Sequence, residues 1–300
     1  MSIWIPVTIA AASFQTVRFM LQKMLASVTL TPAGATFSRF VYSAPFILAG
    51  LAGYLMISGQ QVPALTPGFG LFALIGGLSQ ILATICVVAL FKQRNFAVGI
   101  TFKKTEVIQT AIVGLLVLGD QISNWGWAAI TLGLSAVLVL AKTPNSDGPW
   151  WQHLTNRAAR LGLGSGVLFA FSAVSYRGAS LQLGDFDPAF RAAVTLAVVV
   201  SLQTLMMLVW LGWRDKGEIA RVWAARRVAI WVGLTSMGGS YCWFWAFSLQ
   251  NAAYVKALGQ VELILSILAT VLFFKEKISF REIMGIALLV ASILALGLAM

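Results

Sequence analysis

Two glutamates stand inside long apolar stretches of this 300-residue chain, where few other residues could carry chemistry. Glu106 lies in FKKTEVIQT and Glu262 lies in ALGQVELIL. Each is about ten residues into a run long enough to span a bilayer as a helix, so each carboxylate falls near the midplane. A carboxylate at that depth is costly and is expected to face a bundle interior or a wet cavity. The two glutamates are therefore the first candidates for a functional site.

Basic and amide residues accompany both acids. Lys103 precedes Glu106 by three residues, so the two side chains can form an ion pair on one helix. Lys104 points elsewhere and has no partner within reach on its own helix. Lys256 precedes Gln260 by four residues, which places a small polar patch on an otherwise apolar helix. Gln260 can serve either a structural hydrogen bond or a substrate contact.

Further candidates come from the other charged and aromatic residues of the apolar runs. Arg177 lies deep in its run and can face a cavity, and Trp243 belongs to an aromatic stretch that can line a cavity or contact lipid. The cations nearer to run ends, which are expected to extend to lipid headgroups, are Arg18, Arg39 and Arg191. The predicted substrate-binding residues are Lys103, Lys104, Glu106, Lys256, Gln260, Glu262, Arg177 and Trp243.

The composition indicates an integral membrane protein. Hydrophobic residues make up 59% of the chain, charged residues only 10%, and the mean hydropathy is +0.86. The net charge of +11 is therefore interpreted by its position relative to the membrane, and a nucleic-acid partner is not expected. Two cysteines and one histidine fit no metal site, and no arrangement of catalytic residues is present, so we expect neither an enzyme nor a cofactor.

The apolar runs predict ten membrane-spanning helices. The runs fall at about 4–24, 33–57, 69–91, 96–118, 124–141, 161–183, 188–213, 228–249, 253–274 and 279–299. They are continuous and lack the alternation of barrel strands, so the predicted fold class is an all-α membrane protein. Pro45 is expected to kink the second span.

An internal duplication divides these spans into two sets of five. Residues 95–123 align without a gap on residues 251–279 after a shift of 156 residues, with Glu106 on Glu262 and Asp120 on Glu276. We predict a first five-helix repeat at 1–141, a linker at 142–160 and a second repeat at 161–300. Because five is odd, the second repeat enters the membrane with inverted orientation, and the substrate site is expected in a central cavity between the repeats.

The basic residues predict the orientation. The loops after spans one, three, five, seven and nine carry Lys and Arg, whereas the opposite loops and both tails carry none. By the positive-inside rule these five loops are cytoplasmic and both termini lie outside. We expect a multi-pass protein of the cell (inner) membrane.

The chain resembles the EamA type of the drug/metabolite transporter superfamily. The resemblance rests on the ten spans in two halves, the opening of span two from Thr31-Pro32 to Arg39, and the helix-end acids in LLVLGDQIS and VLFFKEKIS. The resemblance implies a ten-helix bundle in which the third, fourth, eighth and ninth helices line a central path. It also implies transport of small metabolites, often amino acids or related compounds, and commonly out of the cell. The chain departs from the family in lacking a proline in FKKTEVIQT and ALGQVELIL, and Asp120 replaces the usual glutamate.

The leading hypothesis is a secondary transporter, expected to be an exporter, of a small polar metabolite that is amino-acid-like or an organic anion. Lysines and arginine outnumber glutamates in the predicted cavity, which favours an anionic group on the substrate, and a desolvated glutamate could carry a coupling proton. The alternatives are proton-coupled efflux of lipophilic cations or drugs, which the excess of cations disfavours, and a lipid flippase. The expected partners are the small-molecule substrate and the lipid bilayer, with the protein a monomer or homodimer.

Overall fold

Helices make up nearly all of the described part of the protein. The computed structural model describes residues 2–93, 99, 102–140, 157–265 and 280–298. In chain order the helices are α1 (Trp4–Val28), α2 (Pro32–Val41), α3 (Ala44–Ser58), α4 (Pro67–Leu90), α5 (Glu106–Leu118), α6 (Asn124–Leu140), α7 (Arg157–Leu181), α8 (Pro188–Arg214), α9 (Lys216–Ala224), α10 (Arg226–Leu249), α11 (Ala252–Leu258) and α12 (Phe280–Leu298). No strand occurs in these ranges, which confirms the predicted all-α class.

Several helices are long and apolar enough to cross a bilayer. Within the described ranges these are Pro32–Ser58, which comprises α2 and α3 together, Pro67–Leu90, Arg157–Leu181 and Pro188–Arg214. Shorter apolar helices lie at Glu106–Leu118, Asn124–Leu140 and Ile283–Leu296. Helices of this length and composition are typical of a multi-pass membrane protein.

The turn residues of the sequence begin the helices. Thr31 caps α2 by accepting a hydrogen bond from the Gly34 amide, and Asp187 caps α8 in the same way, each followed by proline at the first helical position. Pro45 acts as expected, because the helix of span two is interrupted at residues 42–43 and α3 begins immediately before the proline.

The most extensive packing joins the first part of the chain to the second. α1 packs along α10, α4 packs along α7, and α6 packs along α12. α5 also lies against α7, and α2 lies against α10. Close approach depends on small residues, since the Tyr176 ring fills the space beside Gly76. The Tyr176 hydroxyl donates a hydrogen bond to the Gly76 carbonyl at 2.9 Å. This packing brings polar residues of six helices to one centre.

The two helices that carry the glutamates are broken. A turn at residues 104–105 precedes α5, and the Thr105 amide donates to the Phe102 carbonyl three residues back at 3.2 Å. A turn at residues 259–260 follows α11, and the Gln260 amide donates to the Ala257 carbonyl at 3.2 Å, before the helix resumes at 261–265. Both breaks occur without proline. They are short segments of tighter helix of the kind that often marks a functional position.

Some sequence predictions fall outside the described residues. These include the linker up to residue 156, the end of span nine with Glu276, and Asn95 at the start of the duplicated segment. The last four residues of the predicted linker, 157–160, form the first turn of α7.

Candidate functional site

The predicted local ion pair forms at the start of α5. Lys103 Nζ lies 3.4 Å from Oε1 of Glu106, and both side chains are almost fully buried. A second lysine reaches the same oxygen, because Nζ of Lys256 on α11 lies 3.8 Å from it. Glu106 is the first residue of α5, so its charge also faces the positive end of the helix dipole. One carboxylate is thus shared by two lysines from different parts of the chain.

Glu262 occupies the equivalent position after the second helix break. Its carboxylate pairs with Lys104 across the bundle and accepts a hydrogen bond from Gln15 of α1 at 2.6 Å. The sequence had left Lys104 without a partner on its own helix. Tertiary packing supplies one, because residues 104 and 262 are brought together from opposite halves of the chain.

Gln260 and Trp243 both contact Lys256, and they belong with the two glutamates and their lysines to one buried polar cluster. The Gln260 side-chain amide donates to the Lys256 carbonyl at 3.3 Å, while its Oε1 is buried without a partner among the described residues. Trp243 lies beneath the ammonium group of Lys256, with 4.9 Å from Nζ to the ring centroid. The ring stacks on Phe247, and its buried Nε1–H has no acceptor in the described ranges.

A small cavity lies beside these residues at the centre of the bundle. Its volume is about 30 Å³, which is room for roughly two water molecules. The lining residues are Gln15, Arg18, Arg39, Gln80, Phe169, Ser172, Ala173, Tyr176, Gly239, Ser240, Trp243, Phe244, Phe247 and Lys256. Three of them are cations and none is a carboxylate. Of the four spans that the family resemblance implies, spans three, eight and nine line the cavity, whereas no described residue of span four does. Spans one, two and six also contribute lining residues.

Arg39 is a cavity residue, and the expectation that it extends to lipid headgroups is wrong. Its side chain is buried, with Nε donating to Ser236 at 2.6 Å, Nη1 to Thr84 at 3.1 Å and Nη2 to Ser240 at 3.1 Å. The three hydroxyls come from α4 and α10, which flank α2. These hydroxyls accept hydrogen bonds from three of the five guanidinium N–H groups, which lowers the cost of burying the charge.

The same expectation is wrong for Arg18. Its guanidinium is buried, donates to Gln22 at 2.6 Å and lies 4.2 Å from the centroid of the Phe19 ring. Sequence reasoning missed both arginines because they lie toward the ends of their spans. A usable signal was the i, i+4 spacing of polar residues in the spans that receive Arg39, such as Ser236 and Ser240.

A polar network continues from the cavity toward α8. Tyr176 Oη is 3.0 Å from Oε1 of Gln80, and the Gln203 amide donates to the same oxygen at 2.9 Å and to the Gly77 carbonyl at 3.0 Å. These residues were not among the predicted site residues. All are buried or partly buried, and the network ties α4, α7 and α8 together beside the cavity.

Arg177, a predicted substrate-binding residue, does not contact the buried glutamates and lysines in the described structure. Its Nε donates to Asp120 at 2.9 Å, and its Nη1 donates to the carbonyls of Phe247 and Gln250, each at 2.9 Å. The last two are at the C-terminal end of α10, where helix carbonyls lack partners within the helix. Arg177 therefore ties the end of α10 to the end of α5. Arg191, in the first turn of α8, donates to the Gly184 carbonyl at 3.1 Å, away from the cavity.

The arrangement suits reversible binding of a polar molecule. Within the described ranges, no group of three His, Cys, Asp or Glu residues could hold a metal ion. The ion pairs of Lys104 with Glu262 and of Lys256 with Glu106 cross between the two halves of the chain. Helical membrane bundles place such charges at substrate and ion pathways. The fold and the site together are those of a multi-pass helical membrane protein with a buried polar centre.

Comparison with known proteins agrees with this class. Residues 157–298 match the EamA-like transporter family, a part of the drug/metabolite transporter superfamily, so the resemblance expected from the sequence is confirmed. A solved structure titled only "Crystal structure of protein" shares the fold, with a TM-score of 0.71 and 14% identity over 99% of this chain and 96% of that one. No curated protein matches the chain.

Proposed function

We propose that the protein is a secondary transporter that moves a small metabolite bearing an anionic group by alternating access. The observation that carries the proposal is the central cavity, which is lined by Arg18, Arg39 and Lys256 and, among the described residues, by no carboxylate. Its walls come from both halves of the chain. A cation-lined site favours an organic anion, or the carboxylate end of an amino-acid-like molecule, and opposes a lipophilic cation.

We infer that the two halves are inverted repeats. If residues 1–141 and 161–300 exchange places, α1 exchanges with α7 and α4 with α10. The α1–α10 contact then becomes the α7–α4 contact, and both are among the most extensive in the described chain. The α2–α10 contact likewise becomes the α8–α4 contact, and both are present. The helix break before each glutamate follows the same relation and fits the discontinuous helices of inverted-repeat transporters.

The contacts between connecting segments support the proposed orientation. The loop after α1 accepts a hydrogen bond at the Leu30 carbonyl from Lys92 at 3.2 Å, and the Thr31 amide donates to Glu218 of α9 at 2.7 Å. The loops after spans one, three and seven therefore gather on one side of the bundle. We propose that this side, which carries the basic residues, is cytoplasmic and that both termini lie outside the cell membrane.

Transport would require the halves to separate and re-form their contacts. The cavity of about 30 Å³ is too small for an organic metabolite, so the form described is closed around the site. The contacts that hold it closed include the pair of Lys104 with Glu262 and the hydrogen bonds of Arg39 to α10. Opening on either side would expose the same cations in turn.

The test is uptake by purified protein in proteoliposomes loaded with candidate organic anions, amino acids or organic cations. Exchange of an anionic substrate is expected in the wild type, and Arg39→Gln is expected to raise KM at least tenfold. Arg191→Gln removes a cation that does not line the cavity and serves as the matched control. Selective transport of a lipophilic cation, or equal loss of transport in both variants, would overturn the proposal.

The glutamates are tested for proton coupling in the same vesicles. Glu106→Gln and Glu262→Gln cannot release a proton, so a coupled mechanism requires that at least one of them abolish uphill transport while exchange persists. Unchanged uptake with unchanged pH dependence in both variants would remove the glutamates from the mechanism.

A further inference from the structure

The buried interior carries more positive than negative charge. The buried cations at or next to the cavity in the described chain are Arg18, Arg39, Lys103, Lys104 and Lys256. Two carboxylates, Glu106 and Glu262, oppose these five cations. Both carboxylates already accept from lysines, Glu106 from Lys103 and Glu262 from Lys104. Burying an unmatched charge in a low-dielectric interior costs free energy, so a mobile counter-ion beside the arginines would stabilise this state.

The size of the cavity selects the kind of counter-ion. A volume of about 30 Å³ accepts roughly two water molecules and no organic carboxylate with its carbon skeleton. A halide ion is only slightly larger than a water molecule. Among anions, a monatomic one therefore fits the closed cavity, whereas a metabolite fits only after the halves move apart.

The donors around the cavity are of the types that bind such an anion. Arg18 has five N–H donors, and one hydrogen bond, to Gln22, is recorded for it in the described part of the chain. Lys256 lines the same cavity, and its nearest carboxylate oxygen, on Glu106, is 3.8 Å away. Trp243, which also lines the cavity, has a buried Nε1–H with no acceptor among the described residues. An N–H of this kind is costly to bury and is satisfied by an anion.

We propose that the closed cavity binds one halide ion, chloride in the cell, between Arg18, Arg39 and Lys256, and that the anionic group of the substrate displaces it when the cavity opens. The first half of this statement stands apart from the proposed transport, because the ion balances buried charge whether or not a metabolite is carried. The second half rests on the proposed function.

The binding step is tested by the thermal stability of the purified full-length protein at constant ionic strength. Sodium chloride or bromide replaces sodium gluconate, whose anion is too large for the closed cavity. Chloride and bromide are expected to raise Tm by a few degrees in a saturable manner, because the ion binds the folded protein. Arg18→Gln and Arg39→Gln should remove the rise, and Arg191→Gln should retain it. An equal Tm in chloride and gluconate, or a rise that persists in both cavity variants, overturns the proposal.

A second measurement keeps the test independent of those variants folding. Crystals of the wild type grown in bromide are expected to show an anomalous peak between Arg18, Arg39 and Lys256, and absence of that peak overturns the proposal. If small carboxylates raise Tm and halides do not, the cavity cations bind the substrate alone, and this result would also overturn the halide proposal. If halides raise Tm but the protein transports no anion, the halide site is confirmed and the proposed transport is refuted.

Discussion

Lys256 Nζ lies 3.8 Å from Oε1 of Glu106, and the two residues belong to opposite halves of the chain. The same lysine lines the central cavity and lies over the Trp243 ring. Lys256 therefore has the paired carboxylate on one side and the cavity on the other. A charge that enters the cavity competes with Glu106 for this lysine, which links occupancy of the cavity to a contact between the halves.

Removing the Glu106 charge is expected to destabilise the protein strongly. Glu106→Gln leaves Lys103 and Lys256 buried without their carboxylate, and breaking a buried pair in this way costs about 3–5 kcal/mol. Lys256→Met in the same background should recover part of the lost Tm, because it removes one of the unmatched charges. Thermal unfolding of the two single variants and the double variant forms a cycle, and additive losses would show that the residues are not coupled.

Loss of the Lys104–Glu262 pair should favour the open forms. The pair joins the two helix breaks, so Lys104→Met removes one contact that holds the halves together. In a background with Cys86 and Cys242 replaced by alanine, Ser240→Cys reports access to the cavity. Its reaction with a water-soluble thiol reagent is expected to be several-fold faster in Lys104→Met.

The control for this measurement is a cysteine that is exposed in every state. Gln61→Cys, at an exposed position in the segment between α3 and α4, should react at the same rate with and without Lys104→Met. A Ser240→Cys rate that is insensitive to Lys104→Met would contradict a closing role for the pair.

Arg177 is expected to affect stability and not substrate affinity. Its partners are Asp120 and two carbonyls at the end of α10, and Arg177 itself is not among the residues that line the cavity. Arg177→Gln and Asp120→Asn should each lower Tm and leave KM unchanged in proteoliposomes, whereas Arg39→Gln should raise KM. A comparable rise of KM in Arg177→Gln would return this residue to the substrate site.

Glu218 should hold α9 against the start of α2. Its Oε1 accepts from both the amide and the hydroxyl of Thr31, each at 2.7 Å, and its side chain is fully buried. Arg221 donates to Oε2 at 2.7 Å, and this hydrogen bond raises the pKa of Arg221 above its ordinary value. Glu218→Ala is expected to lower stability by about 1.5–3 kcal/mol, because it removes an ionised acceptor from two donors.

A glycine variant tests the same contact from the other helix. A β-carbon at Gly34 would overlap the Glu218 carboxylate, so Gly34→Ala should displace it and lower Tm in a similar way. Arg221→Gln removes a half-exposed partner of the same carboxylate and leaves both Thr31 hydrogen bonds in place, so it should have a smaller effect. Full stability in both Glu218→Ala and Gly34→Ala would show that the contact contributes nothing.

Two glycines two residues apart on α7 should respond differently to alanine. A β-carbon at Gly162 would lie 2.8 Å from the carbonyl carbon of Gly99, and this backbone cannot move aside cheaply. A β-carbon at Gly164 meets nothing within 4 Å. Gly162→Ala is therefore expected to cost about 1–3 kcal/mol, and Gly164→Ala to be neutral or stabilising, by thermal unfolding. Equal effects of the two substitutions would contradict the close packing at residue 99.

The sequence by itself determined the class of protein and the local features. Continuous apolar runs require helices in a bilayer, and Thr31-Pro32 and Asp187-Pro188 begin helices where they occur in the chain. The pair of Lys103 with Glu106 was predictable for the same reason, since a spacing of three residues fixes two side chains on one helix face.

Tertiary structure decided the partners that come from other helices. Hydropathy does not tell how a helix is rotated about its axis, so position along the span suggested headgroups for Arg39, whereas packing turned it toward Ser236 and the cavity. The partner of Lys104 also lies on another span, and Arg177 is occupied by Asp120, on an element far away in sequence. Contacts within one helix depend on residue spacing alone, but contacts between helices depend on which faces meet, and only the folded bundle determines that.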